Sequence, residues 1–166
     1  VEGPFGIADE SLPNPPNFTT TGTNVLELSG NRGTPTSIWS TSGQLQLAEL
    51  VVIKTGTIPG NQVDMISNLI IAEDFAVVQG MFNTNNFTAM QVGGDWTISS
   101  GCYFMPTVCR VTLTGTDGVP VAISNESPNA GFYDLVVDLP NPTDGCQYSS
   151  ATGRTLNVNN TLWVSS

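Results

Sequence analysis

The chain has 166 residues, with 14 Asp and Glu against 4 Lys and Arg, a formal charge of −10, no histidine and three cysteines. These counts exclude a Ser-His-Asp or Cys-His catalytic unit, a His-containing zinc site, and the four thiolates of an all-Cys zinc site. Four cations in an acidic chain leave no footprint for nucleic acid or anionic lipid, and no run of about 18 apolar residues is present to span a membrane.

Charged residues make up 11% of the chain, against roughly 25% in an average soluble domain. The apolar fraction, 39%, is ordinary. The polar balance is carried by Thr, Ser, Asn and Gly, which favour strands and turns. This composition predicts an ordered, loop-rich, all-β chain of the extracellular or virion-surface kind. The chain opens at Val1 with no basic and apolar leader, as expected of a mature or excised fragment.

Residues 1–22 read as a Pro-rich linker or arm, with Pro4, Pro13, Pro15 and Pro16 and the polar run Thr19-Thr20-Thr21. Residues 23–166 read as a single domain. Strand-like runs begin at Asn24–Ser29 and Thr36–Thr41. Gln44–Lys54 starts as alternation at Leu45 and Leu47, then turns wholly apolar from Leu50 to Ile53, which suggests a bulge or a strand buried on both faces. Gln62–Glu73 suits either a helical face or a strand, and its β-branched residues favour a strand with a helical turn. Phe75–Met81, Phe87–Val92, Asp95–Ser99, Cys102–Leu113 and Val119–Ser124 follow. In Gly131–Leu139, Tyr133, Leu135 and Val137 face opposite to Phe132, Asp134 and Val136. Thr161–Ser165 closes the series. Turn signals separate the runs at Pro59-Gly60-Asn61, Gly93-Gly94-Asp95, Asp117-Gly118 and Asn141–Gly145. About ten short strands with no repeat period predict an antiparallel β-sandwich or jelly-roll-like domain.

Cys102 and Cys109 bracket Met105-Pro106. A hairpin turn there would bring the sulfurs together, so the pair reads either as a disulfide or as two free thiols. Cys146 reads as a buried free thiol with no basic neighbour to activate it. Lys54, the only lysine, reads as a snorkelling surface side chain at the end of an apolar strand. Glu73 and Asp74 are adjacent and would face opposite sides of a strand, and Asp134 and Asp138 would stand about 13 Å apart on one face. Neither pair is set up for the acid–base work of a glycosidase, so the carboxylates read as solvated surface charges. The oxygen-rich loop with Asn141, Thr143 and Asp144 lacks the EF-hand pattern. No metal ligand set and no cofactor is expected, and no catalytic residue is assigned.

The Pro-rich lead-in, the ending just after the strand at Trp163-Val164-Ser165, and the nearly lysine-free Thr/Asn/Ser/Gly surface together give the chain a resemblance. It resembles the protruding domain of small non-enveloped RNA-virus capsid proteins of the insect nodavirus, tetravirus and Lake Sinai virus kind. The resemblance implies a β-sandwich spike on the virion surface that makes dimer or trimer contacts with symmetry mates and attaches to a host receptor or glycan. It implies no enzymatic activity. Loop tips on such a scaffold carry recognition, and the expected contact residues are Asn83, Asn85, Asp117, Asn125, Glu126, Asn129, Asp144 and Tyr148. The alternative is a secreted carbohydrate-binding module or lectin.

Overall fold

A computed structural model describes residues 5–7, 25–30, 35–40, 43–116, 118–150 and 153–165. Among them the strands run β1 Phe5–Ile7, β2 Val25–Gly30, β3 Thr36–Ser40, β4 Gln44–Leu47, β5 Glu49–Lys54, β6 Gln62–Met65, β7 Asn68–Ile71, β8 Phe75–Gln79, β9 Met81–Asn83, β10 Ala89–Val92 and β11 Trp96–Ile98. They continue with β12 Tyr103–Met105, β13 Arg110–Leu113, β14 Val121–Asn125, β15 Phe132–Asp138, β16 Cys146–Ser149 and β17 Val158–Ser165. Each strand pairs in parallel with the strand of its own sheet one turn of the chain away. Three sheets result. Sheet A has the order β1-β3-β6-β9-β12, sheet B β17-β15-β13-β10-β7-β4, and sheet C β16-β14-β11-β8-β5-β2.

The expected antiparallel sandwich or jelly roll is therefore corrected. The chain winds as a β-solenoid: from β3 to β14 it visits sheets A, B and C once per coil and starts again one rung along, and from β14 to β17 its strands alternate between sheets C and B. The alternation that predicted strands is real, but the turn signals mark corners between sheets instead of hairpins. Gln44–Lys54 shows the difference. It is two strands, β4 and β5, which break at Ala48 to pass from sheet B to sheet C. Gln62–Glu73 likewise divides into β6 and β7 around Ile66 and Ser67. At Gly93, where β10 leaves sheet B, a Cβ would collide with the carbonyl oxygen of Ala72 in the coil before. Only glycine lets the coils approach so closely at that corner.

Because the coils are in register, inward side chains form columns along the axis. Sheet B carries Leu45, Leu69, Met90, Val111 and Leu135 in one column, and Leu47, Ile71, Val92, Leu113 and Val137 in a second. In sheet C, Leu26, Leu50, Phe75, Trp96 and Ile123 stack. In sheet A, Val63, Phe82 and Phe104 stack. The sheet A and sheet C columns meet in an aromatic block. The Trp96 ring lies 4.6 Å from that of Phe75, 4.7 Å from Phe104 and 5.0 Å from Phe132, and Phe75 lies 5.1 Å from Phe82. Edge-to-face and tilted contacts of this kind add to the stabilisation from burial alone.

Two of the buried polar residues, Lys54 and Asn125, depart from their expected surface positions. Lys54, expected at the surface, is fully buried at the end of β5 and donates from Nζ to Ser29 O at 3.3 Å. Asn125, expected at an exposed loop tip, occupies the rung after Ile98 in the second sheet C column and is buried. Its Nδ2 donates to Ala130 O at 2.9 Å, and its Oδ1 accepts from Ser127 N at 3.0 Å. Ser127 donates in turn to Cys102 O and accepts from Asn129 N at 3.1 Å. A buried side chain that satisfies backbone groups in this way fixes a corner, and Asn125 turns the chain from sheet C toward Ala130, which bridges to Phe104. Of the expected N-terminal arm, only β1 falls among the described residues, and it pairs with β3.

Phe104 touches Phe75, Phe82, Trp96 and Phe132. Phe104→Ala is expected to lower unfolding stability by about 3–5 kcal/mol, read as a fall in the urea midpoint followed by circular dichroism.

Candidate functional site

A concave surface lies where sheet A turns toward sheet B at the later coils. It is an open groove of about 550 Å³. Its floor and walls come from three stretches of chain: Phe104–Thr107, leaving β12; Pro128–Gly131, entering β15; and Leu156–Asn159, entering β17. The stacking of coils brings these distant stretches together. Backbone hydrogen bonds lock them: Phe104 N donates to Asn129 O at 3.4 Å, and Phe132 N to Asn157 O at 2.9 Å. Gly131 packs closely under Asn157, where a Cβ would stand 3.1 Å from Asn157 O. From the preceding coil, Thr84 donates to Met105 O through both N (3.1 Å) and Oγ1 (3.2 Å).

Thr107 sits at the lip of the groove with φ 27°, in the left-handed region that a β-branched residue rarely adopts. Strain of this kind persists where the surroundings over-determine it and is concentrated at functional positions. The groove lining offers the carboxamides of Asn129, Asn157 and Asn159, the Thr107 hydroxyl, and the apolar surfaces of Met105, Pro106 and Pro128. It contains no ionisable side chain.

Of the residues expected to make contacts, only Asn129 lies in this groove, and it is exposed there. Asn83 and Asn85 sit at the same A–B corner one coil earlier, but their amides serve the scaffold. Asn83 Nδ2 donates to Asp64 Oδ1 (3.1 Å) and to Asn85 Oδ1 (2.9 Å), and Asn85 Nδ2 donates to Met65 O (3.1 Å). Asn85 takes the left-handed conformation, φ 51°, that asparagine tolerates. Glu126 is half-buried, and its carbonyl accepts from Arg154 Nε at 3.1 Å. Asp144 and Tyr148 line a different cavity at the C-terminal end of the solenoid. There Tyr148 OH donates to Arg154 O at 3.0 Å. Asp117 lies outside the described residues, and Asn125 is interior as given above. The groove residues missed by sequence reasoning, Thr107, Asn157 and Asn159 above all, belong to segments whose proximity depends on coil stacking. Met105-Pro106, expected as a hairpin tip, is the corner where the chain leaves sheet A for sheet B.

The structure takes one of the two alternatives for Cys102 and Cys109 and corrects the expectation for Cys146. Cys102 and Cys109 are buried free thiols. The hairpin that would have joined them is absent, because β12 pairs with β9 in sheet A and β13 with β10 in sheet B. Burial pushes the Cys109 thiol up to about 12, against a smaller opposing effect of the Thr84 hydrogen bond. Cys146, expected to be buried, is exposed at the start of β16. Its thiol is pushed up by partial desolvation and by the nearby Asp95 carboxylate.

Four of the described carboxylates, Asp74, Asp95, Asp134 and Asp144, accept hydrogen bonds from the backbone. Asp134 Oδ1 accepts from Asn160 Nδ2 (2.7 Å) and Thr161 N (3.1 Å). At the B–C corner, Asp74 Oδ1 accepts from Asp95 N (2.7 Å), and Asp95 Oδ1 from Ala122 N (2.8 Å), tying successive coils together. Glu49, Glu73 and Asp74 crowd here, and the Glu49 carboxyl is raised by desolvation and by the charges of Asp74 and Glu73. Among the described residues no group of three or more metal-ligating side chains comes together. Compared with known proteins, the chain matches no family model, no curated protein and no solved structure.

Two predictions follow from these ionisable groups. A thiol reagent such as DTNB should modify one of the three cysteines, Cys146, in the folded protein and all three after unfolding in urea; rapid reaction of all three in the native state would contradict the burial of Cys102 and Cys109. A carboxyl raised above its ordinary 4.5 favours the fold while protonated, and that contribution is lost as pH rises through the raised folded value. Glu49→Gln should therefore raise the melting temperature by about 1–3 °C at neutral pH, with the advantage vanishing toward about pH 4. Thermal unfolding across that range is the measurement.

Proposed function

We propose that the chain is a non-enzymatic structural and recognition module, a rigid spike segment displayed on a particle surface, and that it holds a neutral glycan in the A–B corner groove. The observation that carries this reading is the groove lining. Carboxamides and a hydroxyl can donate to and accept from sugar hydroxyls, while Met105, Pro106 and Pro128 offer apolar surface to the C–H faces of a ring. A chain of net charge −10 whose A–B corner groove is lined by no ionisable side chain is suited to an uncharged polar partner.

The scaffold supports the same reading. Parallel sheets wound into coils make a stiff rod whose corners can differ without disturbing the core. The carboxylates of Asp64, Asp74, Asp95 and Asp134 accept hydrogen bonds that hold coils or strands in place, a structural use. Display on a virion, for host attachment, is proposed from the composition and Pro-rich lead-in alone, since the β-sandwich that the resemblance implied is replaced by a solenoid. A secreted carbohydrate-binding module would use the same groove in the same way.

The test is a glycan array followed by titration calorimetry on the best neutral oligosaccharide. Each lost hydrogen bond is worth about 0.5–1.5 kcal/mol, so Asn129→Ala combined with Asn157→Ala should weaken binding about tenfold or more while leaving the circular dichroism spectrum unchanged. Absence of any glycan ligand, or binding indifferent to both substitutions, would remove the groove from this role.

A further inference from the structure

A second hollow, of about 280 Å³, adjoins the A–B corner groove. The two share Pro128 and Asn157 in their walls, and past those residues the second is lined by Ser127, Gly153, Arg154 and Thr155. The corner groove has no ionisable side chain in its lining. Its neighbour has the Arg154 guanidinium, and no carboxylate lines either of them.

Arg154 is half-buried and anchored by its own backbone and by its side chain. Its N donates to Ser150 Oγ at 3.1 Å, its O accepts from Tyr148 OH at 3.0 Å, and its Nε donates to Glu126 O at 3.1 Å. Tyr148 lies in β16, Ser150 just after it, and Glu126 just after β14. A guanidinium has five N–H donors, and these contacts use the one on Nε. The four on the Nη atoms meet no acceptor among the described residues. Because the root of the side chain is already fixed, little further ordering is needed to bring its outer fork onto a planar anion. The Ser127 hydroxyl is committed to Cys102 O and Asn129 N, while the exposed Thr155 brings a second hydroxyl to the wall.

We propose that this hollow is an acidic-sugar subsite: the glycan held in the corner groove carries, next to its neutral part, one sugar whose carboxylate is taken by the two Nη groups of Arg154. The proposal rests on the glycan reading of the groove and adds the class of glycan. Charge restricts that class to a single carboxylate. One guanidinium balances one negative charge, and a chain of net charge −10 repels a polyanion along the rest of its length. A lone carboxylate meets its guanidinium at contact, whereas charges more than about 8 Å away are largely screened at physiological ionic strength.

An array of neutral oligosaccharides, and of the same chains ended by a uronic or a sialic acid, selects the probe and separates the two sources of carboxylate. Titration calorimetry then compares the best acid with its methyl ester, which has the same shape without the charge. The acid should bind about tenfold more tightly than the ester, and the difference should shrink in about 0.5 M salt. Arg154→Gln should bring the acid down to the affinity of the ester. Arg154→Lys, which keeps the charge and loses the fork, should retain only part of the difference. Asn129→Ala, in the corner groove, should weaken acid and ester by the same factor. The acid–ester comparison is made on the unaltered protein and does not depend on how a variant folds. If no oligosaccharide binds, the glycan reading falls and the subsite with it. If neutral chains bind and acids bind no better, if the preference for acid over ester survives Arg154→Gln, or if a polysulfated chain outcompetes the monoacid, the subsite alone is overturned and the neutral groove stands.

Discussion

Neighbouring strands of a sheet stand about 4.8 Å apart, and in a solenoid that spacing is the only rise available to a coil. Each inward side chain must therefore fit the one before it and the one after it in the same column. Sheet B meets the constraint with aliphatic columns from Leu45 to Leu135 and from Leu47 to Val137. Sheets A and C meet it with the aromatic block around Trp96 and Phe104. The polar interior residues obey the same constraint. Asn125 takes a rung of a column and uses its amide to satisfy the backbone where the chain turns.

With the three faces committed to columns and ladders, variety is confined to the corners, and the corners divide the work. The B–C corner is closed tightly by Gly93 and stitched by Asp74 and Asp95. The C–A corner of the late coils is fixed by Asn125 and Ser127. The A–B corner is the open one. There Thr107 stands in a strained conformation over a groove that three separate coils assemble.

Much of this was legible in the sequence, and what was not has a common cause. Alternation of the Leu45-x-Leu47 and Leu135-x-Val137 kind marks a strand with one buried face, whichever partner it takes. The sheet partner is what local pattern cannot supply. The repeat stayed hidden because successive coils differ in length, from about twenty residues between Val63 and Phe82 to the high twenties between Trp96 and Ile123. The same blindness explains the groove. Asn129 stood out as a residue in a polar loop, but nothing local places Thr107 and Asn157 beside it. Lys54 and Asn125 depart from the usual exposure of polar residues: Lys54 is buried where the preceding coil supplies its acceptor, Ser29 O, and Asn125 where the local turn to Ala130 supplies its partners.

The unequal coil lengths have a consequence for how such a chain can change. All coils share one rise, so every extra residue in a long coil is expelled from the columns into a corner. Insertions and deletions there leave the interior untouched, while adding or removing a whole coil changes the length of the rod and leaves its cross-section alone. Reach and recognition are therefore separate variables in this architecture, and selection can alter either one without rebuilding the other.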